Sequence, residues 1–319
     1  METKTHAILP KLLTQDMERV SLYPIQHPIL WQEYQRQQAH HWTIADIPAA
    51  TVKSKWPQWL HDTFALWGHT SANVKSCGSG GINPDVATDW TLEQSITDWF
   101  LQHVRLPEAR HCFVQQQLSE SKRSDACSFV LSASCADHQS TEQHKRTLQA
   151  LDQSEEAQGI CGWNLQWFFG IPETGANSPT LCDRLAALVC LKGMMYVSRH
   201  WLMQQGTQEK KSPLQYVETK LFVDRQLQAE CACQLYHHYG CVGADAARHA
   251  QRVKTMMREA MELEHRWLKK NCAAVILDKG VAHLESLSVR WLQRMQNGVE
   301  MEVVIVDKRA NSFALDADF

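Results

Sequence analysis

The sequence predicts an all-α protein, a helical bundle. Amphipathic helical periodicity fills most of the chain, strand-like alternation is confined to one short Val and Ile run at 301–306, and no apolar run approaches the ~20 residues needed to cross a bilayer. The first forty-odd residues carry turn punctuation at Pro10, Pro24 and Pro28 and then read as a helix over 29–42. Further amphipathic helices are expected over 89–104, 107–133, 141–167, 183–205, 213–239, 244–270 and 281–295. Pro107 sits where a helix can start or kink. The polar, glycine-rich stretch 68–88, with Cys77-Gly-Ser-Gly-Gly81 at its centre, reads as a surface loop; it lacks the Lys-Ser/Thr ending and flanking strand of a phosphate cradle. One helical domain is therefore expected over 1–296, with 68–88 as an insertion, followed by a flexible tail over 297–319.

At 44% hydrophobic content, 319 residues supply a sizeable core without covalent staples. The net charge of -3, from 32 Lys and Arg against 35 Asp and Glu, creates no strong field, which argues against nucleic acid and anionic membranes as partners. The 11 cysteines are odd in number and irregularly spaced, and no basic and apolar leader opens the chain, so free thiols in the cytoplasm, or the nucleus, are expected. Cys231 and Cys233, two apart rather than three, are not a metal knuckle or redox pair and read as buried helix residues.

Three stretches in order carry a family resemblance. Leu22-Tyr-Pro-Ile-Gln-His-Pro-Ile-Leu-Trp31, followed by Tyr34, Trp42-Thr43 and Asp46-Ile47, resembles the opening of ribonucleotide reductase small subunits. Pro107-Glu-Ala-Arg110 is similar to the stretch leading into that family's metal-bearing helix, and Asn311-Ser-Phe-Ala-Leu-Asp-Ala-Asp-Phe319 resembles the tail by which eukaryotic-type small subunits dock on the large subunit. The resemblance implies a ferritin-like helical bundle in which two carboxylates and two Glu-x-x-His pairs hold a di-iron or iron/manganese centre. Its metals and oxygen oxidise a nearby tyrosine, whose radical starts ribonucleotide reduction in the large subunit.

Carried over position by position, the resemblance implies that most of this centre is gone. Counting without gaps from Pro107, the first carboxylate falls on Asp89 and the Glu of the first Glu-x-x-His on Glu120; both are retained. Arg123 stands for that motif's histidine, Cys127 for the radical tyrosine and Lys192 for the third carboxylate, while the second Glu-x-x-His reads Arg225-Gln-Leu-Gln228. The family set is formally -4, matching two divalent ions. Here Asp89 and Glu120 give -2 and Arg123, Lys192 and Arg225 give +3, so the expected sum is +1 and no metal cofactor is predicted. The relay remnants are Trp42 and Asp224, but Arg123 replaces the histidine between them, and no tyrosine follows Tyr239 to complete the relay's outer end. A buried indole hydrogen bond is the simpler role for that pair.

Two functions remain in view: a non-catalytic partner of a competent small subunit and the large subunit, or an active small subunit with an altered or metal-free cofactor. A different metal site at Glu108-Ala-Arg-His111 or Glu262-Leu-Glu-His265 is a third, weaker reading, because the first opens its helix and the second lies in a charged, solvated stretch. Heterodimer and homodimer both stay open. Phe313, Leu315 and Phe319 are the expected anchors on the large subunit, with Asp316 and Asp318 supplying negative charge for a basic rim.

Overall fold

The structure, a computed structural model, describes residues 12–13, 19, 21–48, 59–60, 62–64, 92–134, 154–170, 179–206, 213–239 and 246–297. Asp89, the 68–88 loop, the 301–306 run and the tail anchors lie outside the described residues, as does all of 141–153. Among the described residues all regular structure is helical, with no strand. In chain order they form α1 (Pro28–Ala39), a 3-10 turn (Ile44–Asp46), α2 (Leu92–His103), α3 (Pro107–Ser134) and α4 (Glu155–Asn164), which runs into a π-helical turn (Leu165–Phe169). Then follow α5 (Leu181–Gly193), α6 (Val197–Gly206), α7 (Pro213–Tyr239), α8 (Ala246–Asn271) and α9 (Ala274–Asn297).

The helix starts follow from local chemistry. Pro28, Pro107 and Pro213 each occupy a first helical position, where the missing N–H costs nothing. Thr180 and Asp183 cap α5 reciprocally: the Asp183 amide donates to the Thr180 hydroxyl at 3.2 Å and the Thr180 amide to the Asp183 carboxylate at 2.9 Å. Both α5 and α7 are buried along most of their length and pack on each other; α3 packs on α1, α2 and α7, and α8 on α5 and α9. Burial on every side explains why α5 shows no polar face. At Gly193 an added Cβ would sit 2.7 Å from the Trp291 ring, so only glycine lets α9 close over the end of α5.

One helix expected over 183–205 is two. The chain breaks at Met194–Tyr196, with Tyr196 at φ 69°, and Glu264 of α8 accepts the freed Tyr196 and Ser198 amides at 2.8 and 2.9 Å. A buried carboxylate from a distant helix thus outweighs the local periodicity. The Pro107 motif also acquires a structural explanation. Glu108 is fully buried and accepts both terminal nitrogens of Arg19, each at 2.7 Å, and the Gln26 amide at 2.9 Å, pinning the N-terminal segment to α3. Burial opposes its charge, but Arg19 and these amides hold its carboxyl down at about 2. Arg110 closes the end of α2 by donating to the Leu101 and Val104 carbonyls at 2.7 and 3.0 Å.

Cys231 and Cys233 are buried in α7, as the spacing suggested. Free thiols hold for seven of the eight described cysteines; Cys161 departs from that expectation and is disulfide-bonded. Among the described residues no helix is long and apolar enough to cross a membrane.

Candidate functional site

The four central helices converge on one buried ionic centre. Glu93 comes from the first turn of α2, Glu120 and Arg123 from the middle of α3, Lys192 from the end of α5 and Arg225 from the middle of α7. The Lys192 ammonium lies 2.5 Å from the carboxylates of both Glu93 and Glu120. Arg123 pairs with Glu93 at 3.0 Å and with Glu120 at 2.7 Å. Arg225 donates to both Glu93 oxygens at 3.1 and 3.2 Å and to the Leu191 carbonyl at 2.5 Å. All five residues are buried. Burial alone would raise the Glu93 carboxyl, but Arg225, Lys192 and Arg123 together hold it well below the usual carboxylate range. Burial disfavours the Arg123 charge too, and Glu120 and Glu93 more than restore it.

Three expected cations and Glu120 therefore meet as the sequence suggested, and among the described residues the second acid is Glu93, which residue counting did not single out. Glu93 lies four residues after Asp89, one helical turn further on, so a four-residue difference in the connection to Pro107 was the signal that could have found it. Gln228 is buried one turn beyond Arg225 and makes no bond to the centre; its side-chain oxygen has no partner. Cys127, one turn beyond Arg123, is fully buried, and burial pushes its thiol up to about 12 against the attraction of Arg123.

Residues 86–285 match the family model described as ribonucleotide reductase, small chain. The chain belongs to the ribonucleotide reductase small-subunit family. It is 22% identical to the ribonucleoside-diphosphate reductase small chain of Nicotiana tabacum, over 95% of this chain and 88% of the relative, and 22% identical to the small subunit of Dictyostelium discoideum, over 83% and 71%. The structure of the ribonucleotide reductase Rnr4 homodimer from Saccharomyces cerevisiae superposes with a TM-score of 0.69 at 16% identity, covering 95% of this chain and 93% of that one. A putative class I ribonucleotide reductase from Bacillus halodurans superposes with a TM-score of 0.63 at 13% identity, covering 86% and 94%. These likenesses establish the small-subunit bundle, and membership places the chain in deoxyribonucleotide synthesis, in a family whose members pair with a large subunit and form dimers.

The two residues that the resemblance marks as relay remnants, Trp42 and Asp224, lie beside the centre. The Trp42 indole donates to Asp224 at 2.9 Å in the interior. Arg123 turns away toward Glu93 and Glu120, while Lys122 and His40 approach Asp224 at 4.0 and 3.9 Å. Neither Glu-x-x-His stretch gathers ligands. Glu108 is spent on the N-terminal clamp, His111 Nδ1 is bonded to the Pro107 carbonyl, and Glu262 is an exposed partner of Arg258 at 3.7 Å. Among the described residues no group of three or more His, Cys, Asp or Glu is placed to hold a metal ion.

Asp224 and His40 titrate in opposite senses. Burial pushes Asp224 up to about 6 from its ordinary 3.8, so its ionisation costs the fold stability as pH rises through that window. Burial, helped by Lys220, pushes His40 down to about 4 from 6.5, so its protonation costs stability as pH falls. Between pH 4 and 6 the two slopes oppose each other. Relative to the parent, Asp224→Asn should gain about 3 kcal/mol of stability as pH rises across that window, and His40→Gln should lose a similar amount. Urea unfolding at pH 4, 5 and 6 checks this; parallel curves for all three proteins would remove both groups from the pH response.

Proposed function

We propose that this chain acts in ribonucleoside-diphosphate reduction as a non-catalytic small subunit, pairing with a competent small subunit and helping it dock on the large subunit. The single observation that carries the reading is the Lys192 ammonium lodged 2.5 Å from both Glu93 and Glu120. A di-metal centre of the family type needs four carboxylates and two neutral imidazoles. Among the described residues the donor set is two carboxylates already neutralised by three cations, a sum of +1, which does not fit two divalent ions. An active enzyme without metal would need a residue at position 127 that stores a radical, and a deeply buried, protonated thiol is a poor substitute for a phenol.

What survives for function is docking. The tail carries three apolar anchors, Phe313, Leu315 and Phe319, with negative charge from Asp316 and Asp318. A short peptide that orders on binding loses part of its contact energy, so one tail binds modestly and two tails on a dimer gain through effective concentration. A synthetic peptide spanning residues 311–319 should displace the labelled protein from large subunit, and a chain ending at Ala310 should bind at least tenfold more weakly. If the peptide does not compete and the shortened chain binds as well as the full one, docking through the tail is wrong.

A further inference from the structure

Away from the ionic centre, one half-buried cation of the bundle is unmatched. Among the described residues each other buried or half-buried arginine engages a carboxylate or, as Arg110 and Arg184 do, a carbonyl oxygen. Arg290 of α9 engages neither, and its Nε is shielded from solvent with no hydrogen-bond partner. A guanidinium partly withdrawn from water ordinarily gains an acidic partner in return, so an unmatched one marks a place for an anion.

Two imidazoles stand beside it. His283 lies two turns before Arg290 on the same flank of α9, half-buried, with no hydrogen bond to its ring among the described residues. One turn earlier an added Cβ on Gly280 would stand 2.9 Å from the Trp201 ring, so α9 closes on α6 next to His200. Burial, then Arg290 and His200, hold the His283 imidazole below its ordinary 6.5, so near neutral pH it is uncharged and offers one N–H donor. His200 is fixed in orientation. Its Nδ1 is 2.9 Å from both oxygens of buried Glu218 on α7, and its ring lies flat on Phe222 at 3.7 Å between centroids. With Nδ1–H given to the carboxylate, Nε2 points away from it as an acceptor. A guanidinium fork, an N–H donor and an outward acceptor suit a tetrahedral oxyanion that still carries a titratable hydroxyl: its oxygens accept from Arg290 and His283, and its P–OH donates to His200 Nε2. We propose that Arg290, His283 and His200 form a binding site for a phosphate group, carried by inorganic phosphate or by a nucleotide, where α6, α7 and α9 meet.

The test is calorimetric titration of the full-length protein, in a phosphate-free buffer near neutral pH, with inorganic phosphate and separately with ADP. Phosphate should saturate one site per chain and raise the melting temperature with concentration. Arg290→Met keeps the apolar stem and removes a charge that has no protein partner, so it should fold and melt like the parent without phosphate, yet bind at least tenfold more weakly. His283→Gln should also weaken binding, while Arg266→Ala, on the exposed face of α8, should leave it unchanged. Sulfate, which carries no proton near neutral pH, should bind at least tenfold more weakly than phosphate. Tighter binding of ADP, lost equally in Arg290→Met, identifies a nucleotide as the source; equal or weaker binding identifies free phosphate. No saturation at millimolar phosphate, or an Arg290→Met protein that binds like the parent, overturns the site. Sulfate that binds as well as phosphate overturns the contact assigned to His200, and with it the three-residue site.

Discussion

Protein loaded anaerobically with ferrous or manganous salt and then exposed to oxygen should retain well under one metal ion per chain and give no tyrosyl radical signal. Each pair of like unit charges about 4 Å apart repels by roughly 4 kcal/mol at an effective dielectric near 20, and a divalent ion entering beside Lys192, Arg123 and Arg225 meets several such pairs. The carboxylates that would attract it are already paired, with Glu93 engaging all three cations. No phenol stands at position 127 to receive an oxidising equivalent. Elemental analysis and electron paramagnetic resonance read the outcome directly, and about two irons per chain would overturn the non-catalytic reading.

Lys192→Ala should destabilise the protein by about 3 to 5 kcal/mol, the cost typical of removing one partner from a buried ion pair. Among the described residues the ammonium bridges Glu93 and Glu120 most closely, with both contacts at 2.5 Å, so its loss leaves two adjacent carboxylates sharing two guanidiniums. Lys192→Met keeps most of the volume and should still lose most of that amount, separating charge from cavity. The deficit has a sign in pH. Glu93 is held below its ordinary 4.5 in the parent, so its ionisation stabilises the parent above that pH and ceases to do so as pH falls. In the variants an under-compensated carboxylate can protonate, and the gap to the parent should narrow on acidification below about 4.5. Unfolding midpoints equal to the parent's at neutral pH would mean the centre contributes nothing to stability.

The fold was legible where a helix has one apolar face or a proline start. α3 and α7 begin at Pro107 and Pro213 and end within a residue of the expected limits, because their patterns and punctuation agree. The break at Met194–Tyr196 was not legible, since its cause is Glu264, some 70 residues away in the chain, and nothing near Tyr196 announces it. The ionic centre was read in large part. Arg123, Lys192 and Arg225 sit on long helices whose register is rigid, so counting from a motif placed them. Glu93 was missed because counting back from Pro107 crosses the α2–α3 connection, where register is not conserved by geometry. Lys122 and His40 around Asp224 were missed for a different reason: a charge's neighbours across a helix interface leave no local pattern.

A centre assembled from the chain's own side chains is complete once the helices have folded. The ammonium of Lys192 and the guanidiniums of Arg123 and Arg225 do for Glu93 and Glu120 what metal ions do in a cofactor-bearing bundle, namely balance buried negative charge. On the non-catalytic reading proposed above, maturation of the subunit would need no iron delivery, no reducing equivalent and no oxygen. Its abundance can therefore track protein synthesis alone, and in a cell starved of iron it would remain correctly folded while any metal-dependent counterpart waits for loading. Expression in iron-depleted medium should give the same yield and the same melting temperature as in replete medium.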